Sequence, residues 1–289
     1  FDDDGGNNGD YLGANLSLGI SGSGPATVFM VANNNDMFGE DNTGLFIGDS
    51  VSAGGDIRHY GLEDLATVRF NNGNRIFNDG YTPGNWKIGM IRNLSGARYG
   101  EYEGYLNGQM LGDTSSSNEN DIPTTIDDLY YIGAGRVSSD FRDSRFYDGD
   151  MSEVIVYNEY INEAQRIIIE NYLGAKYALP VSNDLYDYEI DHGEDVAGIG
   201  MEDQNNFHVA ASSGRLLRIF NASDLNQSDY LLFGHDNQSI DEWVNEEVPA
   251  EGIYRIHREW RVDIEGNPGM LNIAIDTAAL DNKLTGFNV

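Results

Sequence analysis

The chain has 289 residues, 40% of them hydrophobic, and is therefore long enough to bury a core without covalent cross-links. It contains no cysteine, which excludes disulfides and thiolate chemistry. Its 48 acidic and 17 basic side chains give a net charge of −31, and a field of that sign repels nucleic acids and anionic membrane surfaces. No apolar run approaches the ~20 residues of a membrane span, so we expect neither a nucleic-acid partner nor membrane insertion.

The first half of the chain is predicted to consist of short strands joined by turns. Apolar and β-branched runs flanked by turn residues predict strands at 27–33, 45–49, 57–61, 66–70, 86–93 and 99–107. Asn71-Asn72-Gly73 and Asn107-Gly108 predict hairpin turns, because Asn and Gly tolerate the positive φ that tight turns require. Repeated short strands without intervening helices favour a β-sandwich.

One helix is predicted, from residue 162 to residue 177. Asn162 can cap its first turn, and Gln165 three residues later completes the pattern of a capping box. One face is apolar, with residues at helical spacing: Ala164, Ile167, Ile168, Tyr172 and Leu173. Pro180 ends the segment. We expect this helix to pack on the edge of the sandwich, where it closes the first domain.

Strands resume after an acidic segment that follows Pro180. Apolar runs predict strands at 215–221, 229–236, 252–266 and 269–276. Between Tyr254 and Val262, mostly apolar residues alternate with charged ones, which is typical of a half-buried strand. We place a domain boundary near residue 181, so that residues 1–180 form the first domain and residues 181–289 form a second β domain.

The segment that ends at Tyr177 resembles the laminin-G-like, concanavalin A-like jelly-roll sandwich of secreted bacterial surface proteins. The residues that carry the resemblance are Trp86, Tyr105-Leu106-Asn107-Gly108, Tyr131-Ile132-Gly133, Phe146, Gly149, Glu153-Val154-Ile155-Val156-Tyr157-Asn158 and the helix up to Tyr177. The opening FDDDGGNNGDYL is similar to the first strand of that family. The resemblance implies an all-β jelly roll with one helix at its C-terminal end, and it places Trp86 in the core. Ser152 stands where many such domains have Asp, so metal binding is not carried over from the family.

The second half resembles the β module that often follows this sandwich in large surface proteins of gliding, polymer-degrading bacteria. Asp195-Val196-Ala197-Gly198-Ile199-Gly200 and Arg258-Glu259-Trp260-Arg261-Val262 carry this resemblance. It implies a second, smaller β-sandwich-like module, together with secretion and display at the cell surface. Neither resemblance assigns a catalytic residue to this chain, and a fold alone does not settle function.

The acidic segment at the start of the chain is the candidate metal site. Asp2, Asp4, Asn8 and Asp10 offer oxygen ligands, and calcium, which takes about six to eight oxygens, is the cofactor that we expect. The segment lacks the spacing and the final Glu of an EF-hand loop. A solvated N-terminus without a metal is the alternative.

Two segments are candidates for a glycan site, which needs flat rings for stacking and planar polar groups for hydroxyls. Their residues are Arg58, His59 and Tyr60, and Tyr99, Glu101 and Tyr102. Packing within the sheet is the alternative for each ring. The arginines between residues 255 and 261 stand out in so acidic a chain, and we expect them to pair with nearby acids.

These features favour a non-enzymatic, extracellular segment of a larger secreted protein that mediates cell-surface adhesion by binding a polysaccharide or surface glycan. Other copies or modules of the parent protein are the alternative partners, as in a structural spacer or filament subunit. A polysaccharide hydrolase or lyase stays open as well, because Glu101 and Glu103 share one face of a strand. The chain has no nucleophile elbow, no His-Glu-x-x-His motif and no phosphate-binding loop.

Overall fold

The computed structural model describes residues 9–35, 44–48, 58–62, 65–70, 73–78, 84–94, 101–113, 127–135 and 146–280. For residues 58, 59, 61, 62, 65–70, 73–78 and 113 it describes the backbone alone. The chain divides into two compact units, Phe1–Ile161 and Asn162–Val289.

The first unit is built from antiparallel strands in two sheets. Its strands are β1 (Leu12–Ala14), β2 (Ala26–Asn34), β3 (Leu45–Gly48), β4 (Arg58–Leu62), β5 (Leu65–Phe70), β6 (Gly73–Asn78), β7 (Lys87–Asn93), β8 (Tyr102–Leu106), β9 (Gln109–Met110), β10 (Gly112–Asp113), β11 (Leu129–Ile132) and β12 (Gly149–Tyr157). The larger sheet has the order β1-β11-β3-β4-β5-β6-β10, and the smaller has the order β12-β2-β7-β8-β9. The six strands predicted before residue 108 correspond to β2, β3, β4, β5, β7 and β8, which confirms an all-β unit.

The two sheets of the first unit share one core. Because side chains alternate along a strand, Val28 and Met30 of β2 enter the same cluster as Leu45 and Ile47 of β3. Phe46, which lies between the last two, belongs to a second cluster on the opposite face of the larger sheet. The strands β2 and β3 are therefore buried on both sides.

The turn predicted at Asn107-Gly108 is confirmed. Asn107 and Gly108 have φ of 48° and 79°, and they join β8 to β9 with Leu106 opposite Gln109. Two successive residues with positive φ form the turn whose twist suits a tight hairpin. β5 pairs with β6 up to Phe70 opposite Gly73, as a hairpin requires, while Asn71 and Asn72 of the predicted turn lie outside the described residues.

A buried carboxylate ties the N-terminal segment to the larger sheet. Asp127, which precedes β11, accepts hydrogen bonds from the hydroxyl of Ser17 at 2.8 Å and from the amides of Leu18 at 3.0 Å and Ile20 at 2.7 Å. Hydrogen bonds to an ionised acceptor are stronger than neutral ones. This one side chain therefore fixes a segment that lies far from it in the sequence.

The second unit combines helices and sheets. Its elements are α1 (Glu163–Tyr177), α2 (Glu189–His192), β13 (Glu194–Asp203), β14 (Asn206–His208), β15 (Ala210–Ser213), β16 (Leu217–Phe220), β17 (Asp229–His235), β18 (Trp243–Val244), β19 (Arg255–Ile256), β20 (Trp260–Glu265), β21 (Asn272–Ile275) and a 3₁₀ turn at Thr277–Leu280. One sheet has the order β14-β13-β17-β20, another has the order β15-β16-β21, and β18 pairs with β19. Within the described residues, no helix is both long and apolar enough to cross a membrane.

The four-stranded sheet is the middle layer of the second unit. Its strand β17 is buried along its whole length, because alternate residues serve opposite faces. Leu232 packs with Ile167 and Ile168 of α1, whereas Phe233 packs with Ile219 of the three-stranded sheet. The layers of this unit are therefore helix, sheet and sheet.

The domain boundary differs from the prediction. The units separate between Ile161 and Asn162 rather than near residue 181, so α1 opens the second unit instead of closing the first. The apolar face of a helix shows that it must pack against something. Its actual neighbours, Val196 and Tyr230, come much later in the chain, and local sequence does not identify them.

The helix itself is predicted correctly. The side chain of Asn162 accepts the amide of Gln165 at 3.0 Å, and the side chain of Gln165 accepts the amide of Asn162 at 2.9 Å. Both halves of the capping box are therefore present. The helix ends at Tyr177 because Ala178 adopts a left-handed conformation with φ of 53°.

The strand predicted at 252–266 is interrupted, and β19 and β20 belong to different sheets. The amide of His257 donates to the carbonyl of Glu242 at 2.9 Å, and the amide of Glu259 donates to the carboxylate of Asp236 at 3.1 Å. The carboxylate of Asp236, just beyond the end of β17, thus accepts an amide that would donate to a backbone carbonyl in a regular sheet. The alternation of residue types in this segment gives no sign of this interruption.

We expect the fragment 162–289 to fold on its own and the fragment 181–289, cut at the predicted boundary, to lose cooperative unfolding. Without α1, the face of the four-stranded sheet that carries Val196, Tyr230 and Leu232 is exposed to water. Thermal unfolding followed by circular dichroism distinguishes the two fragments. Equally cooperative unfolding of both would contradict the assignment of α1 to the second unit.

The substitution Asp127→Ala is expected to lower the free energy of unfolding of the first unit by about 3 kcal/mol, because the buried amide of Ile20 loses its acceptor. Asp128→Ala, at the exposed neighbouring position, is the matched control and should change stability by less than about 0.5 kcal/mol. Urea unfolding of the fragment 1–161 measures both. Losses of equal size would show that the carboxylate does not hold the segment.

Candidate functional site

An open groove in the second unit is lined by residues of β19, β20, β16 and β21, and it has a cavity volume of about 470 Å³. Aliphatic side chains form part of its lining: Leu216, Leu217, Ile256 and Ile275. Trp260, three arginines and two glutamates complete it. The groove therefore combines apolar surface with positive charge, in a chain whose net charge is −31.

Arg255 is held by its surroundings. Its guanidinium donates to the carboxylate of Glu259 at 2.6 Å and lies 3.4 Å from that of Glu247. It also donates to the carbonyls of Ile256 and His257, both at 3.2 Å. The expected pairing with acids is therefore confirmed for Arg255, and it leaves this side chain little capacity for a ligand.

Arg258 lies beside a buried imidazole. Its Nε donates to the carbonyl of Gln238 at 2.7 Å, and a terminal nitrogen lies 3.4 Å from Nε2 of His235. Burial lowers the pKa of His235, the charge of Arg258 lowers it further, and Asp195 opposes both effects. At neutral pH the positive charge on this side of the groove therefore comes from the guanidinium rather than from the imidazole.

Arg261 differs from both. Its side chain is exposed and makes no hydrogen bond or ion pair with any residue that the structure describes. The pairing of β20 with β17 sets its position, opposite Gly234. A planar guanidinium presents two parallel donors to a carboxylate. Arg261 is therefore the side chain of the groove with the most capacity to bind an anion.

The ring of Trp260 lines the groove in a fixed orientation. Its Nε1 donates to the hydroxyl of Ser213 at 3.2 Å, and the ring of His235 packs edge-on against it with centroids 5.8 Å apart. Part of the indole also packs on the core cluster that contains Phe233. A ring that is already ordered loses little entropy when a ligand stacks on it.

Tyr60 and Tyr102, two of the residues predicted to contact a ligand, lie in the core of the first unit. They are 0% and 1% exposed and belong to the cluster that the two sheets share. A ring in that position cannot stack on a sugar, so the expected ligand contact is corrected to sheet packing. Trp86 was expected in the core, but it lies just before β7 and is 38% exposed.

The other predicted ligand residues are not brought together by the described part of the first unit. Arg58 and His59 lie on β4, and only their backbone is described. Tyr99 lies outside the described residues. Glu101 is exposed and directly precedes β8. A ligand contact at these four residues stays a prediction.

The predicted calcium ligands fall mostly outside the described residues. Asp2, Asp4 and Asn8 are among those that the structure does not describe, and Asp10 is exposed. A calcium site in this segment stays a prediction.

Glu103, one half of the carboxyl pair considered for catalysis, has a structural partner. Its carboxylate accepts Nε of the buried Arg92 at 2.8 Å. Arg92 also donates to the carbonyl of Ile161 at 3.0 Å and lies 4.5 Å from the ring centroid of Tyr160. Loss of this carboxylate would leave a buried charge uncompensated, so Glu103 contributes to stability rather than facing Glu101 as an isolated pair.

The groove was not predicted from the sequence, although its signal is present. The alternating pattern assigns Arg258 and Trp260 to one face of a strand and Arg261 to the other. All three residues line the groove, but Trp260 and Arg261 are successive residues of β20, so Arg261 borders it from the strand face opposite to the indole. Three arginines within seven residues, in a chain with only 17 basic residues, are the feature that could have indicated it.

Residues 165–288 match the model of a family described as a domain of unknown function (DUF8202). No curated protein matches the chain. The heptameric SAP-like pentraxin of Limulus polyphemus is 15% identical, with a TM-score of 0.43 over 56% of this chain and 76% of the pentraxin.

Two further solved structures are similar over about half of the chain. The CBM40 of the Ruminococcus gnavus IT-sialidase, bound to α2,3-sialyllactose, is 11% identical, with a TM-score of 0.34 over 53% of this chain and 95% of that module. The Trypanosoma rangeli sialidase is 12% identical, with a TM-score of 0.34 over 55% of this chain and 24% of the sialidase. The family match begins inside α1 and covers the strands of the second unit.

Proposed function

We propose that this chain is a non-enzymatic, extracellular adhesion segment of a larger secreted protein, and that it binds an acidic glycan in the groove beside Trp260. The observation that carries the proposal is the combination of Arg261 and Trp260 in one groove. One supplies an exposed guanidinium and the other an ordered aromatic ring.

The positive charge of Arg261 selects an anionic ligand. The chain as a whole repels anions, so a bound anion must be held by short-range contacts rather than by the overall field. A carboxylate fits the two parallel donors of a guanidinium. Arg255 is already paired with Glu259 and Glu247 and adds little attraction, which leaves Arg261 as the main anion contact.

The apolar lining selects a sugar ring over a simple anion. Trp260 offers an aromatic surface, and aliphatic side chains such as Leu217 and Ile275 lie beside it. Pyranose rings carry one face rich in C–H groups, which packs against surfaces of this kind while the hydroxyls stay solvated. Because the groove is open, each site binds weakly, and multivalent display on a surface would raise the avidity.

Calcium is part of the proposal for the first unit. Asp2, Asp4, Asn8 and Asp10 together offer oxygen donors of the kind that calcium takes. Bound calcium would also reduce the self-repulsion of a chain with 48 acidic residues. Surface glycans, or other copies or modules of the parent protein, are the partners that we propose.

We expect the chain to bind an oligouronate at 0.15 M salt and to bind its carboxyl-reduced, neutral counterpart at least about tenfold more weakly. Loss of a charge-assisted pair corresponds to a change of this size. Arg261→Gln should weaken oligouronate binding by about tenfold or more, and Arg261→Lys should fall between the two, because it keeps the charge but loses the two parallel donors. Isothermal titration calorimetry measures all of these affinities.

Arg218→Gln is the matched control, because Arg218 is an exposed arginine of β16 outside the groove. It should leave binding unchanged. Equal affinity of the parent and Arg261→Gln proteins for the oligouronate, or release of reducing ends during the titration, would contradict the proposal. Repeating the titration in calcium and in chelator tests the calcium part separately.

A further inference from the structure

A buried histidine without hydrogen-bond partners lies at the end of α2. His192 is 9% exposed, and both of its ring nitrogens are enclosed without a partner among the described residues. A neutral imidazole carries one N–H donor and one acceptor. Buried polar groups are almost always paired, so an unpaired one needs an explanation such as a missing ion.

Two carboxylates face this histidine. One donor atom each from His192, Asp236 and Glu259 lies within 4.8 Å of the others. Asp236 and Glu259 are only partly exposed. The cluster thus combines an unsatisfied buried nitrogen with two acidic oxygens.

The sheet brings the three residues together although they are distant in sequence. His235, the last residue of β17, lies opposite both Trp260 at the start of β20 and Glu194 at the start of β13. The residues just beyond these three strand ends therefore meet at one end of the sheet, where the strands begin or stop. Those residues are Asp236, Glu259 and His192.

Outer contacts orient the two carboxylates. One oxygen of Asp236 accepts the amides of Gln238 and Glu259, both at 3.1 Å. One oxygen of Glu259 accepts the guanidinium of Arg255 at 2.6 Å. The second oxygen of each has no hydrogen-bond partner within the described residues. Each carboxylate is therefore held in place through one oxygen, and the other oxygen is available as a metal ligand. Metal sites commonly use outer contacts of this kind to fix their ligands.

The backbone of His192 is held as well. Its carbonyl accepts the hydroxyl of the buried Tyr186 at 2.8 Å, and its amide donates to the carbonyl of Tyr188 at 2.8 Å. The ring is therefore presented from a fixed backbone rather than from a mobile loop.

We propose that His192, Asp236 and Glu259 form a binding site for a divalent transition-metal cation, with Zn²⁺ as the best match. One imidazole nitrogen and two carboxylate oxygens are ligands that Zn²⁺ takes, and three protein ligands leave one tetrahedral position for water or a ligand. Calcium takes about six to eight oxygens and rarely an imidazole, so the site differs in chemistry from the acidic N-terminal segment. A 2+ ion also balances the two carboxylate charges.

Binding requires a small contraction. Zinc bonds of about 2.0–2.2 Å bring tetrahedral ligands to within about 3.5 Å of one another, and the donors here are up to 4.8 Å apart. Rotation of the two partly exposed carboxylates supplies this movement while His192 stays in place. The inference does not depend on the glycan proposal, although Glu259 also lines the groove.

The test uses the full chain, stripped of metal with a chelator and titrated with Zn²⁺ by calorimetry. We expect one site that His192→Phe removes, with a loss of affinity of at least about 100-fold, and that Asp236→Asn and Glu259→Gln each weaken by about 10-fold or more. Zn²⁺ at 100 times its dissociation constant should raise the melting temperature of the second unit by about 10 °C. His192→Phe should abolish that rise without lowering the melting temperature of the metal-free protein.

His257→Phe is the matched control, because His257 pairs with Glu242 at 3.0 Å and lies outside the cluster. It should keep the Zn²⁺ site. Unchanged Zn²⁺ affinity and stoichiometry in the three cluster variants would overturn the proposal, since the ion would then bind elsewhere on an acidic surface. Absence of Zn²⁺ binding by the parent protein would overturn it as well. If His192→Phe fails to fold, Asp236→Asn and Glu259→Gln decide the question.

Discussion

The antiparallel pairing of β17 with β20 is the constraint on which the groove and the metal-binding cluster of the second unit both depend. β17 is buried on both faces, so a shift of one residue would turn its apolar side chains to the wrong layers. The register places Trp260 opposite His235 and Arg261 opposite Gly234. Because the core fixes this register, the groove and cluster residues at the strand ends are held in place by the burial of side chains such as Leu231 and Phe233.

The interruption between β19 and β20 is the second requirement, and it originates in one carboxylate. Asp236 accepts the amide of Glu259, and the backbone of Glu259 accepts the amide of Asp236 at 3.2 Å. The pairing of β17 with β20 therefore extends by one more residue pair, Asp236 with Glu259, in which the carboxylate of Asp236 replaces a backbone carbonyl, and it then ends. A continuous strand through this segment would put Arg258 and Arg261 on opposite faces. The interruption therefore changes the position of Arg258 relative to Arg261, whereas Trp260 and Arg261 keep the alternation of β20.

Features that depend on neighbouring residues could be predicted from the sequence. The capping box of Asn162 and Gln165 needs only residues three apart, and the Asn107-Gly108 turn needs only two residues that tolerate positive φ. Placement of the helix could not be predicted, because its partners Val196 and Tyr230 are found only after the chain has folded back. The same holds for aromatic residues of the first unit. The pattern around Tyr102 favours sheet packing but leaves a ligand site open, and the pairing of the sheets decides between them.

The charge of the chain links the two proposed sites. A net charge of −31 opposes the approach of any acidic polymer, and this long-range repulsion is screened beyond a Debye length of about 8 Å at physiological salt. Contacts of Arg261 at hydrogen-bond distance are screened much less. Near the groove, the strongest remaining repulsion of an anionic ligand comes from local acidic side chains, and Glu259 is one of those that line the groove. A divalent cation bound by Glu259, Asp236 and His192 would neutralise two of these charges. An ion and an acidic glycan would then favour each other's binding to an equal extent, as linkage requires, with no change in the fold.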